Sequence, residues 1–141
     1  MTRSKKYTKF RSGLEREIAD QLKKNSIEYS YEPEWGKLEY TVPAKKCKYL
    51  PDFYIKTRSG KQIIIEAKGI WVFVDRLKHY LIKKAHPELD IRFVFSNPKS
   101  KIRKGSKTTY ADICDGKGRG MFKGIKWQYA TKKIPHSWFN E

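Results

Sequence analysis

Three charged side chains, Asp52, Glu66 and Lys68, stand at a spacing that can bring them together on one patch. They belong to two segments rich in β-branched and aromatic residues, separated by a turn-forming Thr-Arg-Ser-Gly run, a pattern that predicts a β-hairpin. If Lys56 pairs with Gln62, Asp52 faces Glu66 with the two Cβ atoms about 5 Å apart. Because side chains alternate along a strand, Lys68 shares the face of Glu66.

This patch is predicted to bind a divalent cation. Two carboxylates that face each other in a sheet repel, so they need a cation between them or a raised pKa. Carboxylate oxygens, together with phosphate oxygens of a substrate, are the ligands that Mg²⁺ and Mn²⁺ prefer. The alternative is an exposed hairpin end with three unrelated charges. Pro51 before the first carboxylate and the apolar run before the second favour the metal site.

Glu15 has two possible roles at the start of a predicted helix. Ser12 and Glu15 match a capping box, and Ile18 and Leu22 continue an apolar stripe at helical spacing, so a helix is predicted over residues 13–25. Glutamate at this position often only bonds back to the cap, and the pattern alone favours that role. The alternative makes Glu15 a third carboxylate that the fold brings to Asp52.

The remaining pattern predicts an α/β or α+β fold, a mixed sheet flanked by helices. We predict strands over 27–31, 37–42, 91–95 and 126–129, helices over about 74–85 and near 110–113, a basic connection over 43–49, a flexible basic loop over 116–120 and a packed tail over 134–139. Residues 12–141 are expected to form one domain, preceded by a basic arm over 1–11. That arm either lies along phosphates or is simply solvated.

The second predicted helix has two distinct faces. Val74, Leu77 and Leu81 mark the face expected to be buried. The other face, which is either a phosphate-facing surface or a solvated one, carries Arg76, Lys78, His79, Lys83 and Lys84.

The charge balance points to a polyanionic partner. The chain has 32 Lys and Arg against 15 Asp and Glu, a net charge of +17, which favours rapid, salt-sensitive binding to nucleic acid. A basic structural protein has the same charge, so charge alone does not separate the two. No stretch is long and apolar enough for a membrane span. The two cysteines form no Cys-x-x-Cys pair, which argues for a reducing compartment and against structural zinc.

Several segments at compatible spacing resemble one nuclease family. They are Phe10-Arg11-Ser12-Gly13-Leu14-Glu15, Pro51-Asp52-Phe53, Glu66-Ala67-Lys68-Gly69, Asp75-Arg76 with Lys78-His79, and residues 86–96. Pro-Asp followed by Glu-x-Lys is the signature of the PD-(D/E)xK nuclease superfamily. The whole set resembles endonuclease I of the T-seven type of phage, a family that resolves Holliday junctions, and the resemblance covers roughly residues 10–115.

The resemblance implies an active site with two Mg²⁺ ions, for which Mn²⁺ can substitute. Asp52 would bridge the two ions, Glu66 and the Ala67 carbonyl would complete one, and Glu15 would complete the other. Lys68 would orient or activate the attacking water and stabilise charge on the phosphate. By this resemblance Glu15 starts its helix and also serves catalysis.

The resemblance also implies a domain-swapped homodimer with a restriction-endonuclease-like core. The first helix of one subunit would complete the site of the other, and residues 43–49 would belong to the bridge between the two lobes. The substrate would be branched DNA in the cytoplasm of the bacterial host of a phage. The candidate DNA-binding residues are Arg11, Lys45, Lys46, Lys48, Arg76, Lys78, His79, Lys101, Arg103 and Lys104.

Two other functions remain open. A sequence-directed homing or nicking endonuclease could use the same catalytic core, with the Gly/Lys/Arg-rich segment near 116–126 and Trp127 as added DNA contacts. No appended base-reading module is visible in the sequence, which favours the resolvase. A noncatalytic basic module that packages nucleic acid would explain the charge but not the three carboxylates and the lysine.

Overall fold

The centre of the protein is a five-stranded mixed sheet. The structure is a computed structural model that describes residues 10–42 and 45–141, except for the side chains of residues 41, 42 and 45. In chain order the strands are β1 Tyr29–Tyr31, β2 Leu38–Val42, β3 Lys45–Tyr49, β4 Phe53–Lys56, β5 Gln62–Lys68, β6 Ile91–Phe95, β7 Asp115–Lys117, β8 Lys123–Lys126 and β9 Tyr129–Thr131. The helices are α1 Gly13–Lys24, α2 Phe73–Ala85, α3 Tyr110–Cys114 and α4 His136–Phe139, with 3₁₀ turns at Glu34–Gly36 and Gly120–Phe122.

The central sheet has the order β1-β4-β5-β6-β9. Strands β1, β4 and β5 are antiparallel, whereas β6 and β9 run parallel to β5. A mixed sheet flanked by helices was predicted, and the structure confirms it. The predicted hairpin register is also confirmed, because Lys56 pairs with Gln62 and Phe53 with Ile65.

The two faces of β5 carry different chemistry because side chains alternate along a strand. Ile63 and Ile65 face α1 and pack in one apolar core with Ile18 and Leu22 of that helix. Ile64 packs instead with Ile82 of α2, and Glu66 and Lys68 follow it on that face. Each buried Ile or Leu contributes about 1.5–3 kcal/mol to this packing, so the sheet and both helices hold the end of β5 firmly.

Helix α1 confirms the predicted helix, which ends one residue earlier than expected. The hydroxyl oxygen of Ser12 accepts a hydrogen bond from the Glu15 N–H at 3.1 Å, which caps the first turn.

Helix α2 turns a different face to the sheet from the one predicted. Arg76, His79 and Ile82 are its buried residues, whereas the Val74 side chain is 74% exposed. The cause is a set of polar and aromatic partners distant in sequence: Arg76 donates to the Trp71 carbonyl, and two aromatic rings pack edge-on against His79. The prediction that Arg76 and His79 lie on a solvent-facing surface is therefore wrong for this structure, and contact of these residues with DNA stays a prediction.

The predicted connection over 43–49 is mostly a strand. β3 pairs with β2 in an antiparallel hairpin, in which Leu38 faces Tyr49 and Tyr40 faces Cys47. Pro43 and Ala44, which the connection also included, lie outside the described residues, as do residues 1–9 of the predicted arm. Exchange of this region between two subunits stays a prediction.

The last third of the chain is more ordered than the sequence indicated. Residues 115–126 form the β7–β8 hairpin rather than a flexible loop, and Gly116 has the positive φ of 82° that glycine adopts at low cost. The final strand is β9, three residues later than the predicted start at 126. The packed tail is confirmed, because Ile134, Trp138 and Phe139 are buried.

The two cysteines, both free, differ in environment. Cys114 is buried, and this burial raises the pKa of its thiol, whereas Cys47 is only half-buried in β3. Among the helices of the described residues, none is both long and apolar enough to cross a membrane.

Candidate active site

The hairpin of β4 and β5 brings Asp52 and Glu66 together at the end of the sheet. The Asp52 N–H donates to Glu66 Oε2 at 3.4 Å, and the Ala67 N–H donates to Asp52 Oδ2 at 3.0 Å. Both side chains are almost fully buried, with 5% and 3% of their surfaces exposed. The predicted convergence of these two carboxylates is confirmed.

The pKa of Asp52 is raised well above its usual value. Burial is the main cause, and the facing Glu66 carboxylate adds to it. Two buried carboxylates that face each other cannot both stay ionised without a cation nearby. The pair therefore has the electrostatics of a cation-binding site.

Lys68 is oriented by a residue of α2. Its Nζ lies 2.7 Å from Asp75 Oδ2, and the carboxylates around it raise its pKa although burial alone would lower it. The side chain is therefore an ammonium at neutral pH. A fixed, half-buried ammonium beside the two carboxylates can donate to phosphate oxygens or to a water molecule.

His79 fills the space behind this cluster. Its Nε2 lies 3.6 Å from Glu66 Oε1 and 3.6 Å from Asp75 Oδ1. Burial and then the charge of Lys68 lower its pKa far below the ordinary value, so the ring is neutral. Neither ring nitrogen has a hydrogen-bond partner among the described residues.

Glu15 reaches the cluster within the same chain. Its Oε1 accepts hydrogen bonds from the Tyr31 hydroxyl at 2.6 Å and from the Arg11 N–H at 2.8 Å. The carboxylate is buried and adds to the charge that raises the pKa of Asp52. Glu15 thus starts α1 through its backbone and points its side chain toward Asp52.

The Arg11 guanidinium lies between these carboxylates. Its Nη2 is 3.1 Å from Asp52 Oδ1 and 3.8 Å from Glu15 Oε2, and it also pairs with Glu32 at 2.5 Å. Arg11 was predicted to contact DNA, and in this structure it is a second cation, besides Lys68, next to the buried carboxylates.

The donor set suits a hard divalent ion. Asp52, Glu66 and Glu15 supply carboxylate oxygens, the ligands that Mg²⁺ and Mn²⁺ prefer. In residues 10–42 and 45–141, no group of three His, Cys, Asp or Glu side chains is already arranged around one point as metal ligands. The Arg11 guanidinium lies between Asp52 and Glu15, the two carboxylates that would have to meet at a shared ion.

The other predicted DNA-binding residues are spread over one strand, one helix and one loop. Lys46 and Lys48 are exposed on β3, next to Lys45 in the same strand. The Lys78 ammonium lies 5.1 Å from the centre of the Tyr49 ring. Lys101, Arg103 and Lys104 are exposed in the segment between β6 and α3.

Two residues of the site were not predicted as members of it. Asp75 belongs to one of the segments that resemble the nuclease family, but no role was predicted for it. Tyr31 was predicted only to end a strand. A signal for Asp75 exists in the sequence, because it is the acidic residue in the first turn of the helix that follows Lys68. Tyr31 has no such signal, since its contact with Glu15 depends on how α1 packs.

Comparisons with known proteins give a consistent result. The family described as phage endonuclease I matches residues 1–141. The chain is 44% identical over 132 residues to "Endonuclease I" of Escherichia phage T7, which covers 94% of this chain and 79% of that protein. It is 45% identical over 109 residues to "Endodeoxyribonuclease 1" of Enterobacteria phage T3, which covers 77% of this chain and 68% of that protein.

Proposed function

The chain belongs to the phage endonuclease I family, and from this premise we propose that it is a metal-dependent endonuclease that cuts four-way junctions and other branched DNA. The observation that carries the proposal is the buried Asp52–Glu66 pair, with the Lys68 ammonium beside it and Glu15 close to Asp52. A packaging protein has no need for two buried carboxylates that face each other, one of them, Asp52, with a raised pKa.

Two Mg²⁺ ions, or Mn²⁺ in their place, would supply Lewis-acid activation of the scissile phosphate and of the attacking water. Asp52 would hold both ions, Glu66 and the Ala67 carbonyl one of them, and Glu15 the other. The Ala67 N–H already fixes one Asp52 oxygen at 3.0 Å, so that carboxylate is preorganised.

Lys68 would serve the phosphodiester and the nucleophile directly. Because its pKa is raised, it is a donor rather than a base at neutral pH. It would orient the water through its N–H groups and stabilise the negative charge that grows on the phosphate oxygens. Asp75 would keep the ammonium pointed at that position.

We propose that the active enzyme is a homodimer in which α1 is exchanged. In one chain, α1 places Glu15 beside Asp52, and an exchanged α1 would occupy the same place on the other subunit. Two sites at a fixed separation would engage two strands only where DNA is bent or branched, so shape rather than base sequence would be recognised. A monomeric mass in light scattering at working concentration would contradict this part.

The test compares cleavage of an immobile four-way junction with cleavage of linear duplexes that carry the same arm sequences, in Mg²⁺. We expect symmetric cuts near the branch that tolerate changes of arm sequence, and no cuts with Asp52→Ala. Cutting of one specific duplex site in a phage-genome library, with no cutting of the junction, would favour a homing endonuclease instead. That alternative has lost one support, because Trp127, a predicted DNA contact, is buried. No cutting of either DNA would favour a binding module.

A further inference from the structure

A cleft lies at the first turn of α2. It has a volume of about 590 Å³, within the range of roughly 300–1,000 Å³ typical of sites for small ligands. Phe73 and Arg76 from the first turn of α2 form one wall, and the 3₁₀ turn Gly120–Phe122 forms part of another. The same turn of α2 carries Asp75, which binds Lys68, so the cleft and the catalytic ammonium share one structural support.

The apolar part of the cleft is suited to a flat ring. The Phe73 and Phe122 rings are 6.2 Å apart and perpendicular, and Ile113 and Met121 complete the apolar surface. Phe73 and Met121 are 52% and 45% exposed, which is unusual for such large apolar side chains beside a cleft. An aromatic ligand would cover them.

The polar part of the cleft is entirely cationic among its charged groups. Arg103, Lys107 and Arg119 line it, and none of the described residues that line it is acidic. Its most buried charged group is Arg76, with 4% of its surface exposed and an Nε that has no hydrogen-bond partner among the described residues. Burial lowers the pKa of this guanidinium, and the neighbouring Asp75 carboxylate, which is paired with Lys68, offsets that effect only in part. Because a buried cation is costly to leave incompletely paired, a further anion would stabilise it. An anionic ligand in the cleft would pair with it.

We propose that this cleft binds a single nucleotide displaced from the base stack of the DNA, with its base against Phe73 and its phosphate near Arg119. An aromatic surface for the base and cations for the phosphate is the combination that proteins use for unpaired nucleotides. The inference rests on the proposed function, since it makes an unpaired nucleotide near the branch point a preferred feature of the substrate.

The test measures binding by fluorescence anisotropy in EDTA, with the full chain and three four-way junctions. One junction is fully paired, one has an unpaired nucleotide at the branch point, and one has an abasic residue at that position. We expect the unpaired nucleotide to strengthen binding about tenfold over the abasic junction, the order that base–aromatic stacking provides.

Phe73→Ala should remove this tenfold preference and leave binding to the abasic junction unchanged. Val74→Ala is the matched control, because Val74 is an exposed apolar residue of the same helical turn that does not line the cleft. The proposal would be overturned if Phe73→Ala weakened binding to both junctions equally. It would also be overturned if Phe73→Ala and Val74→Ala weakened binding by the same factor.

Arg119→Gln tests the phosphate contact. It should weaken binding to both the unpaired and the abasic junctions severalfold more than Lys117→Gln, which removes one exposed charge from the same hairpin outside the cleft. If Arg119→Gln has this effect but Phe73→Ala has none, the cleft binds only phosphate and the nucleotide proposal is wrong.

The wild-type protein separates this inference from the proposed function. If the protein binds a fully paired junction more tightly than a duplex, but an unpaired nucleotide does not increase its affinity further, the inference alone is overturned. If an unpaired nucleotide in a linear duplex increases the affinity and the protein shows no preference for junctions, the proposed junction function is overturned. Nucleotide binding by the cleft would then be supported.

Discussion

Asp75 has no place in the predicted ligand set, yet it determines where the Lys68 ammonium points. The two side chains are joined at 2.7 Å, and α2 holds Asp75 in place through its buried residues His79 and Ile82. In the proposed mechanism Asp75 would act through Lys68 rather than on the DNA, so its effect should appear in the rate of cutting rather than in binding.

Asp75→Asn keeps the size of the side chain and removes its charge. We expect the single-turnover cleavage rate to fall about 10- to 100-fold, as when a supporting carboxylate is lost from other catalytic sites, while junction affinity changes less than twofold. Asp20→Asn, which removes an exposed charge from α1, serves as the control. A matching loss of affinity would mean that Asp75 contributes to DNA binding.

Lys68→Ala removes the ammonium itself. Cutting should become undetectable because charge on the reacting phosphate is no longer stabilised, and junction binding measured without divalent metal should stay within about twofold. If binding collapsed together with cutting, Lys68 would be a DNA anchor and the proposed role would be wrong.

Among the strands and helices, the β4–β5 hairpin was predictable from the sequence, whereas the orientation of α2 was not. The β4–β5 register followed from the turn residues and the alternating pattern, so the meeting of Asp52 and Glu66 could be derived from local sequence. The buried face of α2 could not, because Arg76 and His79 occupy it and their partners lie in other elements. The spacing of apolar residues does not predict the buried face of a helix when polar residues on that face bind partners distant in sequence.

The 3₁₀ turn before β2 depends on one glycine. Gly36 is buried beneath the Tyr54 ring, and the Tyr54 hydroxyl donates to its carbonyl at 2.6 Å. A Cβ at this position would overlap the ring of Tyr54. Gly36→Ala should therefore lower the free energy of unfolding by about 1–3 kcal/mol, measured by urea denaturation.

Gly13→Ala is the control for this substitution. Nothing lies within 4 Å of a Cβ built on Gly13, and alanine favours the helix that begins there, so stability should be unchanged or slightly higher. Equal losses from both variants would show that the overlap with Tyr54 is not the cause.

At the scale of the whole molecule, Arg92 joins the last residues of the chain to the central sheet. It is buried in β6 and makes paired hydrogen bonds of 2.6–2.8 Å to the carboxylates of Asp90 and Glu141. These bonds lower the pKa of Glu141 to about 2. They also lower the pKa of Asp90, although its partial burial alone would raise it.

A lowered carboxyl pKa stabilises the folded state above the pKa of the unfolded chain, about 4.3 for glutamate, and this contribution is lost as the pH falls toward the folded value. Glu141→Gln should cost about 1 kcal/mol at pH 7, an estimate reduced for solvent screening because a third of the side chain is exposed. In thermal unfolding, the difference in melting temperature between Glu141→Gln and the wild type should become steadily smaller below about pH 4.5. Glu17→Gln, an exposed change on α1, should show no such trend.

Because only one of the two thiols is accessible, the natural protein can be labelled with a dye at a single position. A maleimide dye at neutral pH should attach to Cys47 in β3 and spare Cys114, whose thiol is enclosed and resists ionisation. In the proposed homodimer, each subunit would then carry one reporter on the β2–β3 hairpin, with no engineered cysteine. Energy transfer between the two dyes would report on movements of this hairpin during assembly and during DNA binding.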